Sequence, residues 1–278
     1  MSFSADWLAL REPADHAARS KSLLAEVAGH FAGREAISVV DLGCGAGSNL
    51  RGTAQALPDR QYWRLVDYDP KLLAAARGRL TAWADGASSD GDVLVLAKGA
   101  KSLRVTFTQA DLNTDLDRVL APSADLVTAA ALFDLVSATW IERFVAALAL
   151  RRLPLYTVLT YDGTDAWTPP HPADQAMLQA FHAHQATDKG FGPAAGPQAT
   201  AIMAAAFAKA GYAIRQAPSP WHVGADLAAL GRQLVAGFAG AVGETGRLSQ
   251  AEIDAWLAAR LSGVACEVGH QDLFAIPR

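Results

Sequence analysis

Cysteine is almost missing from this chain: Cys44 and Cys266 are the only two. They form no Cys-x-x-Cys pair and no Cys/His cluster, which argues against a disulfide framework, a structural zinc or any other metal site. Long hydrophobic runs are missing too. Nothing approaches the ~18 consecutive apolar residues of a membrane span, and Met1 to Asp15 carries acids and a proline where a signal peptide needs an apolar core. There is no polybasic block, and the net charge is −4, so a large nucleic-acid partner is not expected, although a local basic groove stays open. Charged residues are only 19% and hydrophobic ones 51%, a balance that predicts a sizeable core rather than disorder. The 278 residues suffice for one large α/β domain, alone or with a cap. These absences together predict a soluble, reduced, cytoplasmic protein.

What the chain does have is one stretch around which the rest is organised, Ser38-Val39-Val40-Asp41-Leu42-Gly43-Cys44-Gly45-Ala46-Gly47-Ser48-Asn49-Leu50. A short apolar run ends in an acid and enters a glycine-spaced turn, the pattern of a buried strand and a tight turn. Gly43, Gly45 and Gly47 carry no Cβ, so a ligand can lie against the backbone. Ser48 to Leu57 reads as a helix whose first free N–H groups point at whatever sits in the turn. Strand, turn and helix N-terminus make a cradle for a nucleotide cofactor. The dinucleotide fingerprint wants a third glycine where this chain has Ser48, and the Gly-Lys-Ser/Thr of a phosphate loop is absent.

Along the chain, Pro13 to Phe31 reads as one helix with Arg11, Asp15 and Arg19 at four-residue spacing on a shared face. Ala36 to Leu42 is the first strand. Tyr62 to Asp67 is the second, and Asp67 lies about twenty residues past the turn, where an acid can meet ribose hydroxyls. Asp69 before Pro70 is the natural cap of a helix from Lys71 to Ala84. Asp85 to Gly91 is loop-like. Asp92 to Ala97 and Leu103 to Gln109 form a hairpin leading into the third sheet strand, which ends at Asp111. A helix from Leu112 to Leu120 follows. Ala124 to Ala131 is a buried fourth strand, Trp140 to Leu150 a helix, and Leu153 to Tyr161 a fifth strand ending at Tyr161-Asp162-Gly163.

Beyond Gly163, Trp167 to Pro172 reads as irregular, Ala173 to Ala186 as a helix, and Asp188 to Pro197 as either a surface loop or a lid over a substrate. Ala199 to Ala210 is a helix stopped by Gly211. Tyr212 to Gln216 is a sixth strand, broken by Pro218 to His222. Helices from Leu227 to Val242 and from Ser249 to Leu261 follow, the latter opened by a Ser249/Glu252 capping box. Val264 to Val268 and Asp272 to Ile276 close the chain as a seventh strand. Strands alternating with helices predict an α/β, doubly wound, mostly parallel sheet with helices on both faces.

The Asp41-x-Gly43-x-Gly45-x-Gly47 turn, the acid after strand two, Asp111-Leu112 after strand three, an apolar strand four and two strands at the C-terminal end together resemble the class I S-adenosylmethionine-dependent methyltransferases. The resemblance covers Ala36 to Gly163 well and the remainder by order alone. It implies a Rossmann-like, seven-stranded sheet in the order 3-2-1-4-5-7-6 with strand seven antiparallel. It also implies a single methyltransferase domain over 1–278, with residues 1–35 as a helical cap, 36–163 as the cofactor-binding half and 164–278 as a substrate-side insertion and C-terminal half.

As cofactor the resemblance implies S-adenosyl-L-methionine, with S-adenosyl-L-homocysteine as product. The cofactor residues it implies are Asp41, Gly43, Gly45, Gly47, Asp67, Tyr68, Asp111, Leu112 and Ala130, with Arg19 or Arg11 on the methionine carboxylate. A small organic molecule is the expected methyl acceptor, because the Pro-Pro-aromatic signature of nucleic-acid amino methylation is missing at Ala129 to Phe133. Residues at this point face the methyl group in that family, so the resemblance implies Asp134 as a candidate for the active-site floor. If the acceptor needs a base, Asp134, Tyr161 and His182 are the foremost candidates, beside Asp162, His184 and His222. Two other classes stay open: a non-catalytic cofactor-binding or regulatory protein, and a nicotinamide-dependent oxidoreductase.

Overall fold

Ser4 accepts the Trp7 N–H and starts helix α1 (Ala5–Ala18), and Ser20 accepts the Leu23 N–H and starts α2 (Lys21–His30) in the computed structural model, which describes residues 3–121, 123–261, 263 and 265–278. The one helix expected from Pro13 is therefore two. The break falls at Arg19, whose backbone is extended (ψ 137°), and the Ser20 N–H donates to Asp272 Oδ2 at 2.9 Å, so the backbone released by the break is paired.

Strand β1 (Ala36–Leu42) leads through the glycine turn into α3 (Ser48–Thr53), which tightens to a 3-10 turn at Ala54–Ala56 instead of running on as one helix. Then come β2 (Arg60–Asp67) and α4 (Pro70–Trp83), the latter capped by Asp69 at 2.8 Å from the Lys71 N–H. Three antiparallel strands follow, β3 (Gly86–Asp90), β4 (Val93–Lys98) and β5 (Lys101–Gln109), with β5 also parallel to β2. Residues expected as a loop thus form edge strand β3. All five are exposed, so small polar side chains cost nothing there, and β4 supplies the ladder.

Helix α5 (Leu116–Leu120) starts later than expected. Asp111 accepts the Asn113 N–H on its carboxylate (2.8 Å) and the Thr114 N–H on its carbonyl (3.1 Å), which holds this stretch as a turn. Strand β6 (Leu126–Ala130) and helix α6 (Ala138–Arg151) follow. Strand β7 (Leu155–Thr168) runs past Gly163, where the sequence places its end. It continues because the first part of the last strand pairs with Asp165 to Thr168. At the register shift between these strands stands Gly269, where any Cβ would overlap Asp162 and Thr164.

The rest comprises α7 (Asp174–Gln185), α8 (Ala199–Lys209), β8 (Tyr212–Pro218), β9 (Trp221–Val223), α9 (Ala228–Thr245), α10 (Gln250–Leu261) and β10 (Ala265–Pro277). Strand β10 is one bulged strand where two runs were expected, and Val264, the expected first residue, lies outside the described residues. The capping box before α10 is formed: the Ser249 N–H donates to Glu252 at 2.9 Å and the Glu252 N–H to Ser249 at 3.3 Å.

The sheet order is β3-β4-β5-β2-β1-β6-β7-β10-β8, with β9 paired to β10. Its stretch β5-β2-β1-β6-β7-β10-β8 is the expected 3-2-1-4-5-7-6 order, with β10 antiparallel to both neighbours. The ten strands exceed seven by the β3-β4 hairpin at one edge and by β9. Alternate residues of each strand feed opposite faces. Ile37, Val39 and Leu65 join the core under α1 to α4, while Val40, Leu42 and Val66 join the core under α6 and α8.

Candidate active site

The glycine turn is built by backbone shape and one carboxylate. Gly43, Gly45 and Gly47 have φ of 61°, 51° and 76°, the left-handed region that side chains disfavour. The Cys44 N–H donates to the Val66 carbonyl at 3.0 Å, and Asp67 accepts the Gly45 N–H at 2.8 Å and the Asp69 N–H at 3.0 Å. The end of β2 thus holds the turn after β1. Burial pushes the Asp67 carboxyl upward, against those backbone hydrogen bonds.

A cavity of about 430 Å³ opens over the carboxyl ends of β1, β2, β5 and β6. Gly43, Gly45, Asp67, Tyr68, Asp111, Leu112 and Ala130 all line it, so the fold brings together seven of the residues singled out as cofactor contacts. Tyr68 stands at the rim, 70% exposed. Three others do not reach the cavity. Gly47 caps α3 beneath Ala76 and Leu80. Asp41 is fully buried behind the turn, where one oxygen accepts from Asn49 Nδ2 (2.6 Å) and Thr128 Oγ1 (2.9 Å) while the other has no partner. Burial pushes its carboxyl up to about 6, and Asn49, which it holds, lines the cavity in its place. Arg19 donates to Thr53 at 3.1 Å and folds over Gly52. Because α1 ends at Ala18, Arg19 leaves the face it was expected to share, and Arg11 is the arginine that lines the cavity.

Helix α1 is fastened across the turn. Arg51 donates two hydrogen bonds to the Glu12 carboxylate, both 2.7 Å, and Arg79 donates to the Ala5 carbonyl at 2.8 Å. His16 Nε2 lies 3.0 Å from Ser48 Oγ. Burial alone would raise the Glu12 carboxyl, but the hydrogen bond and charge of Arg51 outweigh it and hold it below the usual range.

A second cavity of about 500 Å³ adjoins the first, sharing Phe3, Arg11, Ala131, Leu135 and Lys189 with it. Trp7, Trp167, Phe181, Trp221 and Phe238 form apolar walls. Asp134 and Tyr161 line it; His182 does not, but its Nε2 is 3.2 Å from the Tyr161 hydroxyl. That hydroxyl donates to Asp165. Burial, then the charge of Asp165, drives the Tyr161 phenol far above its ordinary value, and burial brings the Asp165 and Asp134 carboxyls each up to about 6. Among the described residues His270 Nδ1 and one Asp134 oxygen have no hydrogen-bond partner, and burial drops His270 to about 4. Ala131, just past the end of β6, and Leu159, within β7, both line this cavity and carry φ of 50° and 59°, backbone strain of the kind that gathers at functional sites.

Of the remaining candidates, His184 lines the second cavity and pairs with Glu244 at 3.0 Å, Asp162 accepts from Thr164, and His222 pairs with Glu267 at 3.2 Å outside both cavities. The sequence reading missed Phe3, Leu8, Asn49, Asp165 and His270. Asp165 sits in the paired extension of β7, whose one signal is the alternation of small and polar residues around Trp167, and His270 lies on β10 opposite Tyr161, just past the register shift. From the Asp188 to Pro197 segment, Lys189, Gly190 and Phe191 line the first cavity, and the Phe191 ring packs edge-on to Trp140 at 5.5 Å. Among the described residues, no group of three or more His, Cys, Asp or Glu is placed to hold a metal, and no helix is long and apolar enough to cross a membrane.

No family model and no curated protein matches the chain. Solved structures do. A cyclopropane-fatty-acyl-phospholipid synthase-like protein from Lactobacillus casei aligns over 100% of this chain and 95% of its own, at 14% identity and TM-score 0.59. The YcgJ protein from Bacillus subtilis aligns over 93% and 99%, at 14% identity and TM-score 0.50. A methyltransferase from Thiobacillus denitrificans, in complex with S-adenosyl-L-homocysteine, aligns over 100% of both chains at 16% identity and TM-score 0.46. Likeness at such identity is likeness of fold. With the strand order above, the chain has the Rossmann-like fold of the class I methyltransferases.

Proposed function

We propose that the chain is an S-adenosyl-L-methionine-dependent methyltransferase acting on an O or N atom of a small organic molecule. The observation that carries this reading is the pair of adjoining cavities: one cradled by the glycine turn and strand-end acids, the other apolar, with a buried carboxylate near the shared wall. The first cavity fits the cofactor. A Cβ on Gly43 would come 3.3 Å from Leu132, and one on Gly45 2.9 Å from Leu8, so the turn keeps its space only with glycine. One oxygen of Asp41 lacks a hydrogen-bond partner among the described residues, which leaves a buried carboxylate behind the turn suited to a cationic ligand.

In this reading Asp67 holds the ribose hydroxyls, side-by-side acceptors for a diol. Asp111 and the Leu112 N–H meet the adenine, Tyr68 covers it, Gly43, Gly45 and Ala130 leave it room, and Asn49 and Arg11 face the methionine end. Asp41 and Gly47 support the turn. When bound, the cofactor supplies a methyl group on a sulfonium, a good leaving group. The chain's part is to align the acceptor, exclude water and take up a proton where the acceptor carries one. Asp134, Tyr161 and His182 are the residues we assign to that last task, with Phe191 closing the first cavity as part of a lid. We read residues 1–35 as the cap, 36–163 as the cofactor half and 164–278 as the substrate side of one domain. The setting we propose is the cytoplasm, with the thiols of Cys44 and Cys266 reduced and neither a nucleic acid nor a membrane as partner.

Calorimetric titration tests the reading. S-adenosyl-L-homocysteine should bind at micromolar strength, on the order of 7–9 kcal/mol, and NAD should not. Ser48, where a dinucleotide site needs glycine, is held by His16. Heat from NAD alone would replace this function with the oxidoreductase one.

A further inference from the structure

The second cavity holds buried polar groups that lack partners among the described residues, and carboxylates in particular. Asp134 is 9% exposed and one of its oxygens has no partner, and His270, 6% exposed, has an unpartnered Nδ1. Asp165 adds another carboxylate, which receives the Tyr161 hydroxyl. Cations do little to offset these acids. Arg11 turns Nε and Nη2 to Asp15 through three hydrogen bonds of 2.9–3.1 Å and lies 4.8 Å from the Trp221 ring centre. Lys189 gives its ammonium to the His184 carbonyl and the Thr187 hydroxyl. The walls are aromatic faces, which attract cations and accept flat apolar bodies.

A phenolate or carboxylate in this cavity would add negative charge beside two carboxylates. An ammonium would supply what the cavity lacks, N–H donors and positive charge. We infer that the methyl acceptor is an apolar amine with an aromatic body, its nitrogen received by the Asp134 carboxylate and its charge further balanced by Asp165. The ammonium N–H proton passes to Asp134, leaving that carboxyl neutral and the nitrogen lone pair free. This inference rests on the methyltransferase reading for the role of the first cavity, but its ligand can be tested without turnover.

The test is quenching of the fluorescence of Trp7, Trp167 and Trp221 by phenethylamine, phenethyl alcohol and phenylacetate, with and without S-adenosyl-L-homocysteine. Phenethylamine should bind about tenfold tighter than the alcohol, and phenylacetate weakest. Asp134→Asn, and separately Asp165→Asn, should remove most of the amine's advantage while leaving the alcohol within about twofold. Either variant suffices if the other fails to fold, and the ligand series on the parent protein needs neither. Equal or tighter binding of the alcohol or the acid, no amine binding at millimolar concentration, or an unchanged preference in both variants overturns the proposal. Failure of S-adenosyl-L-homocysteine to bind the first cavity would instead overturn the methyltransferase reading and is measured independently.

Discussion

Asp134 is a buried carboxylate without a full set of partners, an arrangement that costs stability. Its carboxyl stands at 3.8 when free and about 6 when folded, raised by burial against the charge of Arg11. The folded chain therefore keeps a proton that the unfolded chain has released. Its contribution is most favourable below about pH 4, declines as pH rises to about 6 and remains a penalty above that. Asp134→Asn is neutral throughout, so it should be more stable than the parent at about pH 8, by at most on the order of 3 kcal/mol and seen as a higher Tm, and should match it at about pH 4. Equal Tm differences at both pH values would place Asp134 in a solvated setting. In the other cavity, Asp67→Ala should weaken S-adenosyl-L-homocysteine by about 1.5–3 kcal/mol, the worth of hydrogen bonds to a charged group. Gly45→Val should abolish binding, because φ of 51° is strained for a branched side chain and the new Cβ crowds Leu8. Calorimetry with each variant checks both expectations.

Helix α1 is the element whose role the sequence concealed most. It spans the glycine turn by the Glu12–Arg51 pair, whose Arg51 side chain is 6% exposed, and it brings Phe3, Leu8 and Arg11 to the cavities. Glu12→Ala leaves Nε and Nη2 of that buried guanidinium without their carboxylate, with only Nη1 still paired, to the Ala46 carbonyl at 3.0 Å, so the helix should loosen at a cost of about 1.5–3 kcal/mol in stability. Hydrogen exchange should quicken in Ala5–Ala18 before it does in the sheet. Unchanged protection there would mean that α1 is held by its apolar contacts alone. Strands β1, β2, β6 and the turn were legible because burial imposes apolar runs and backbone shape imposes glycine. The α1–α2 break was not, because Ser20 looks like any helical serine until Asp272, far along the chain, accepts its N–H. The extension of β7 was hidden for the same reason: Thr164 to Thr168 form a strand only because β10 lies alongside. Arg19 and Arg11 had equal claims by spacing, and only the end of α1 decided between them. For the lid, Phe191→Ala removes a ring that packs on Trp140 and lines the first cavity. Turnover should fall while S-adenosyl-L-methionine affinity stays within about 0.5 kcal/mol; equal turnover would make the segment an ordinary loop.

Across the whole molecule, the two cavities meet because the first opens at the carboxyl ends of the strands, where sheets of this kind bind ligands, and the chain after β7 folds back over the same side. In the proposed function these cavities form one continuous path for a methyl group. The most direct measurement is a crystal structure with S-adenosyl-L-homocysteine bound. The proposed path requires the ribose on Asp67, the adenine beside Asp111 and Leu112, and the sulfur facing the second cavity past Ala131 toward Asp134. A ligand bound elsewhere, or a sulfur turned away from the second cavity and toward solvent, would contradict it.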